Sequence, residues 1–162
     1  MMQPSTPRDE HRFLQRLVGD WVVTATTGHA EYDPSKPDTR WTETVRSVGD
    51  LWVVGESAGP MPDGSRATMV ITLGFDAALG HYVGTWIGSM MDRLWVYRGW
   101  VEPDGRTLTL EAEGPDFDDP AKTAVYRDVI AFVDDDHRRF SGSVRRPDGS
   151  FQTFMTHDYR RA

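Results

Sequence analysis

The chain has 162 residues, enough for one domain that buries roughly two-thirds of its extended surface. Its net charge of −7 argues against a nucleic-acid partner, which needs a basic face, and against binding to anionic membranes. The absence of cysteine excludes disulfides, thiolate metal sites and cysteine nucleophiles together.

Residues 1–7 read as a flexible tail without the apolar core of a secretory signal, so the expected compartment is the cytoplasm. Residues 8–18 read as a short capping helix. Thr6 is its expected N-cap and Pro7 its first helical position, with Asp9 and Glu10 complementing the dipole. Phe13, Leu14, Leu17 and Val18 fall on one apolar stripe, and Gly19 ends the helix.

From Gly19 to the end, β-type runs alternate with turn signals. Asp-Gly occurs at Asp63-Gly64, Asp104-Gly105 and Asp148-Gly149, the strongest short-range hairpin signal when flanked by alternating apolar residues. Ten strands are predicted, at 21–28, 40–48, 51–57, 67–75, 82–88, 94–101, 107–113, 123–133, 139–145 and 151–160. The connection 32–38, with Pro34 and Pro37, is expected to be an ordered loop. Consecutive hairpins of this number close most simply into an all-β, up-and-down antiparallel barrel over 19–162. No apolar run is long enough to span a bilayer as a helix.

Alternation assigns the faces. Leu108, Leu110 and Ala112 share one side, as do Met69, Ile71, Leu73 and Phe75. Trp41, Glu43 and Val45 are expected to point inward, which buries a carboxylate that then needs a partner. Tyr126, Asp128, Ile130 and Phe132 are expected inward on their strand. The segments 51–54 and 94–97 are apolar on both faces. Either the helix covers them or they form a homodimer interface, through Trp52 or Trp95.

The candidate ligand site is the lumen, built from Trp41, Glu43, Trp86, Met91, Trp95, Tyr97, Tyr126 and Asp128. An aromatic wall with a few convergent polar groups suits a small apolar or aromatic ligand. Met61, Met90 and Met91 could form an adaptable lid. The alternative is an enzyme that uses Glu43 as a general acid beside the two phenols. No catalytic residue is assigned, because no nucleophile motif or phosphate loop is present. The five histidines, His11, His29, His81, His137 and His157, have no metal-binding spacing, and neither metal nor cofactor is expected.

Gly19-Asp20-Trp21 resembles the Gly-x-Trp signature that opens the first strand of lipocalins and related calycin barrels. The resemblance implies that Trp21 closes the barrel floor under a cation from the last strand, here Arg160, with Gly19 at the entry. The segments TETVRSVGDLWVV, LGFDAALGHYVGTWIGSMM, LWVYRGW and FMTHDYRR resemble the bacterial DUF1579 family. That resemblance implies a calycin-like barrel and carries no activity with it. The last strand reads Asp158-Tyr159-Arg160, not the Arg-x-Tyr motif of fatty-acid-binding proteins. The spacing of His157 to Tyr159 likewise does not match the haem-ligand strand of nitrobindins.

Overall fold

A computed structural model describes residues 2–27, 33, 35–36 and 39–162. Gly28, His29 and most of the expected 32–38 loop lie outside the described residues. One helix, α1 (Asp9–Gln15), precedes ten strands. These are β1 (Gly19–Thr27), β2 (Thr42–Val48), β3 (Trp52–Pro60), β4 (Arg66–Asp76) and β5 (His81–Gly88). They continue as β6 (Trp95–Val101), β7 (Thr107–Pro115), β8 (Thr123–Asp134), β9 (His137–Arg145) and β10 (Phe151–Arg161). Each strand pairs antiparallel with its chain neighbours, and β10 returns to β1, closing the barrel. Closure leaves no free sheet edge.

The sequence Pro-Asp-Gly recurs in three of the hairpins, and each copy folds alike. In each, the Asp side chain accepts the backbone N–H two residues on, at Ser65, Arg106 and Ser150. The following Gly64, Gly105 and Gly149 adopt φ of 85°, 69° and 87°, a left-handed conformation open to glycine at little cost. β2 and β3 are joined by a tighter three-residue turn, 49–51, with Gly49 and Asp50 both left-handed.

The helix is shorter than its sequence suggests at both ends. Its N-cap is Arg8 and not Thr6, because the His11 Nδ1 accepts the Arg8 backbone N–H and takes over the capping role. At the other end, 16–18 tighten into i→i−3 bonds. α1 closes one end of the barrel and does not cover its outer wall. Leu14 and Leu17 are buried there, Phe13 meets Tyr82 and Phe132 edge-on, and the Tyr82 hydroxyl donates to the Glu10 carbonyl. The outer faces of β3 and β6 therefore stay open, with Trp52 43% and Val96 61% exposed. Trp95 points into the barrel, so an interface on this outer wall would draw on Trp52 and not on Trp95.

The floor is Trp21, 1% exposed, whose indole N–H donates to the Leu17 carbonyl at 2.7 Å. The cation on its ring is Arg161, 4.3 Å from the ring centre, and not Arg160. Register explains the correction: Trp21 pairs with Arg161, so both side chains point inward, while Arg160 pairs with Val22 and is exposed. The Arg161 guanidinium also donates to the carbonyls of Val18, Arg16 and Asp135. Gly19, at φ 130°, lets it pass, since a Cβ there would lie 2.7 Å from the guanidinium.

Arg161→Ala should therefore lose about 2–4 kcal/mol of stability, from several charge-assisted bonds and a cation–π contact. Arg160→Ala should change it by less than about 0.5 kcal/mol. Urea unfolding of the two variants checks this; equal losses would contradict the assigned register.

Candidate functional site

Above the floor the barrel encloses a cavity of about 250 Å³. Its walls run from buried Leu17 to exposed Phe117 and Met91, so it opens at the end away from α1. The space exists because several lumen-facing positions are small. Gly55, Ser57 and Ala112 line it. Larger residues at these positions would fill it.

Near the mouth the wall is aromatic. Trp95 and Phe117 stand 5.2 and 5.0 Å from the Tyr126 ring, and Phe154 packs 5.3 Å from Phe117. The Tyr126 hydroxyl is turned outward to the Pro115 carbonyl, so its ring is what the lumen meets. Gly114 makes room for Trp95, since a Cβ there would lie 2.2 Å from the indole. The Trp95 N–H points to the Met91 sulfur at 3.3 Å, which ties the mouth thioether to the wall.

Two polar arrangements interrupt this apolar lining, and they differ in kind. On one side Glu43 is ion-paired with Arg138, which crosses from β9. Ser57 donates to the other oxygen of Glu43 at 2.9 Å. The Arg138 guanidinium also lies 4.6 Å from the Trp21 ring and 4.2 Å from the Tyr159 ring. Glu43 is thus engaged on both oxygens, an arrangement that suits a structural ion pair.

On the other side Asp128 accepts one bond among the described residues, from the Tyr97 hydroxyl at 2.5 Å. Burial pushes the Asp128 carboxyl up to about 6, against the lowering effect of that bond. Burial and the nearby Asp128 also push the Tyr97 phenol well above its usual value, so it stays a donor. Asp128 is enclosed by protein yet faces the cavity.

The structure brings Glu43, Trp86, Met91, Trp95, Tyr97, Tyr126 and Asp128 together around this cavity. Trp41 is not among its lining residues. It precedes β2, and its ring lies over Gly59, where a Cβ would come within 2.2 Å of it. Of the three methionines read as a lid, only Met91 lines the cavity. The sequence reading missed Arg138, Tyr159, His157 and Ser57. His157 places Nδ1 2.6 Å from the Thr26 hydroxyl. Among the described residues no cluster of His, Cys, Asp or Glu could hold a metal ion, and no helix is long and apolar enough to cross a membrane.

A family model described as a protein of unknown function (DUF1579) matches residues 6–161. No curated protein matches the chain. Among solved structures, a redesigned β barrel is similar at 12% identity and a TM-score of 0.45, over 93% of this chain and 96% of that one.

Because burial raises Asp128 above its ordinary 3.8, the folded protein keeps a proton that the unfolded chain releases between about pH 4 and pH 6. The contribution of Asp128 to stability should fall as pH rises through that window, by roughly 2–3 kcal/mol, opposing the gain from aspartates such as Asp158 whose carboxyls are lowered. Asp128→Asn should remove this slope and stabilise the protein at pH 7 by about 1–3 kcal/mol. Urea unfolding at pH 4 and pH 7 reads both; an unchanged slope in the variant would show that another group carries it.

Proposed function

The chain belongs to the DUF1579 family, and we propose that its barrel is a binding module that holds one small apolar or aromatic molecule in the lumen. The observation that carries this reading is the aromatic-walled cavity of about 250 Å³, stoppered at one end and open at the other. An apolar cavity of roughly 150 Å³ is enough to take benzene, so this one suits a ligand of one or two rings. Its lining has the usual make-up of a ligand site, apolar for the most part with a few polar groups that set orientation. Trp86, Trp95, Tyr97 and Tyr126 supply contact area with little entropy to lose, and Tyr97 and Asp128 supply direction.

The wall is rigid below and adaptable above. The floor contacts of Trp21 and the Glu43–Arg138 pair hold the lower lumen. At the rim, exposed Met91, Phe117 and Phe154 can shift to admit a ligand. Ligand entry through this end requires no break in the strand ladder.

Native mass spectrometry of the protein purified from its own host should find a co-purifying small molecule. Ala112→Phe, which fills the lumen from β7, should abolish that adduct while leaving the far-ultraviolet circular dichroism unchanged. An adduct retained by the filled variant would place the ligand outside the barrel.

A further inference from the structure

We propose that the ligand of this lumen carries a protonated amine, paired with the Asp128 carboxylate and enclosed by the aromatic wall. The proposal rests on the binding reading above and adds the chemical class of the ligand.

The geometry separates Asp128 from every other polar group of the cavity. Glu43 has a cation and a hydroxyl on its two oxygens. Asp128 has one neutral donor on Oδ2, and no described residue donates to its other oxygen. A buried carboxylate left in this state is costly unless something pairs with it. Among the described residues nothing in the wall does. Among the described residues Arg138 is the single Arg or Lys lining the cavity; its guanidinium is ion-paired with Glu43 and lies on the Trp21 and Tyr159 rings, with Nε buried and without a hydrogen-bond partner. With that pair neutral, the ionised Asp128 leaves the lumen with one negative charge.

A cation answers that charge, and the surrounding rings favour it as well. Indole and phenol faces attract ammonium groups, more strongly when water is excluded. Tyr126 lies two residues from Asp128 on the same inner face, and Tyr97 is bonded to it. Gly142, the register partner of Asp128 on β9, leaves room for Phe154, since a Cβ there would lie 2.9 Å from its ring. A carboxylate-headed ligand would meet the opposite situation: repulsion from Asp128, and an Arg138 whose charge is already met by Glu43. A neutral hydroxyl could donate to Asp128 but would leave its charge uncompensated.

The carboxyl titrates near 6, so the pairing is pH-dependent. The other titratable groups on the cavity wall are Tyr97, Tyr126, Tyr159, Glu43, Arg138 and His157. Of these His157 is varied separately in the test.

Isothermal titration with 2-phenylethylamine, 2-phenylethanol and 3-phenylpropanoate, near-isosteric probes with three head groups, decides the matter. At pH 7.5 the amine should bind at least about tenfold more tightly than either of the others. Its affinity should fall about tenfold between pH 7.5 and pH 5, as Asp128 takes up a proton. Asp128→Asn should erase both the preference and the pH dependence while still binding the alcohol, and His157→Gln should keep both. Equal binding of alcohol and amine, tighter binding of the carboxylate, or a preference surviving in Asp128→Asn would overturn the amine assignment and leave the binding reading intact. Failure of all three probes to bind would overturn the assignment and count against the binding reading too.

Discussion

Everything in this barrel is referred to the burial of one indole. Trp21 fills the closed end, its N–H satisfied by the Leu17 carbonyl and its ring met by the guanidinium groups of Arg161 and Arg138. Each contact ties a different part of the chain to the floor. Leu17 fixes the segment after α1, Arg161 the last strand, and Arg138 the ninth. The register that brings Arg161 under the indole is the same one that closes β10 onto β1. Barrel closure and floor packing are therefore one constraint. A residue slip in that pairing would turn Arg161 outward and unseat the stopper.

Arg138 carries the constraint upward into the lumen. Stacked on Trp21 and Tyr159 below, it pairs with Glu43 across the β1–β10 seam. A buried ion pair of this kind adds little net stability against a well-packed apolar core, yet removing one partner strands the other. It pins the two strands that flank the seam in one arrangement. Asp128 does the reverse. Its ionisation works against the fold. Gly55 and Ser57 on the Glu43 side, with Ala112, leave space where larger side chains would pack. Departures from best packing of this kind are expected at functional sites.

Much of the fold was legible in the sequence, because its signals are local. Period-2 alternation and Pro-Asp-Gly turns repeat along the chain, and all ten strands fall where those signals place them. Inward faces followed wherever a strand alternates cleanly, as at Tyr126, Asp128, Ile130 and Phe132. The failures are non-local. Arg160 and Arg161 are adjacent and alike, and only the pairing with β1 decides which one turns inward. Arg138 opens β9 beside Arg139, a doublet that reads as a solvated strand end; its place follows from register with Tyr159 and Phe132, which lie on other strands. Trp41 has the right parity, but it lies before β2 begins and packs over Gly59. The helix start moved because a histidine, outside the usual capping residues, satisfies the Arg8 N–H.

The central claim is that a stoppered lumen holds open space beside Asp128, and xenon tests it most directly. Apolar cavities of this size take up the gas, whereas a core filled by its own side chains does not. A crystal pressurised with xenon should show an atom inside the barrel, against Ile71, Trp86 and Tyr97. Xenon found only on the outer surface, with the lumen occupied by side chains, would contradict the account.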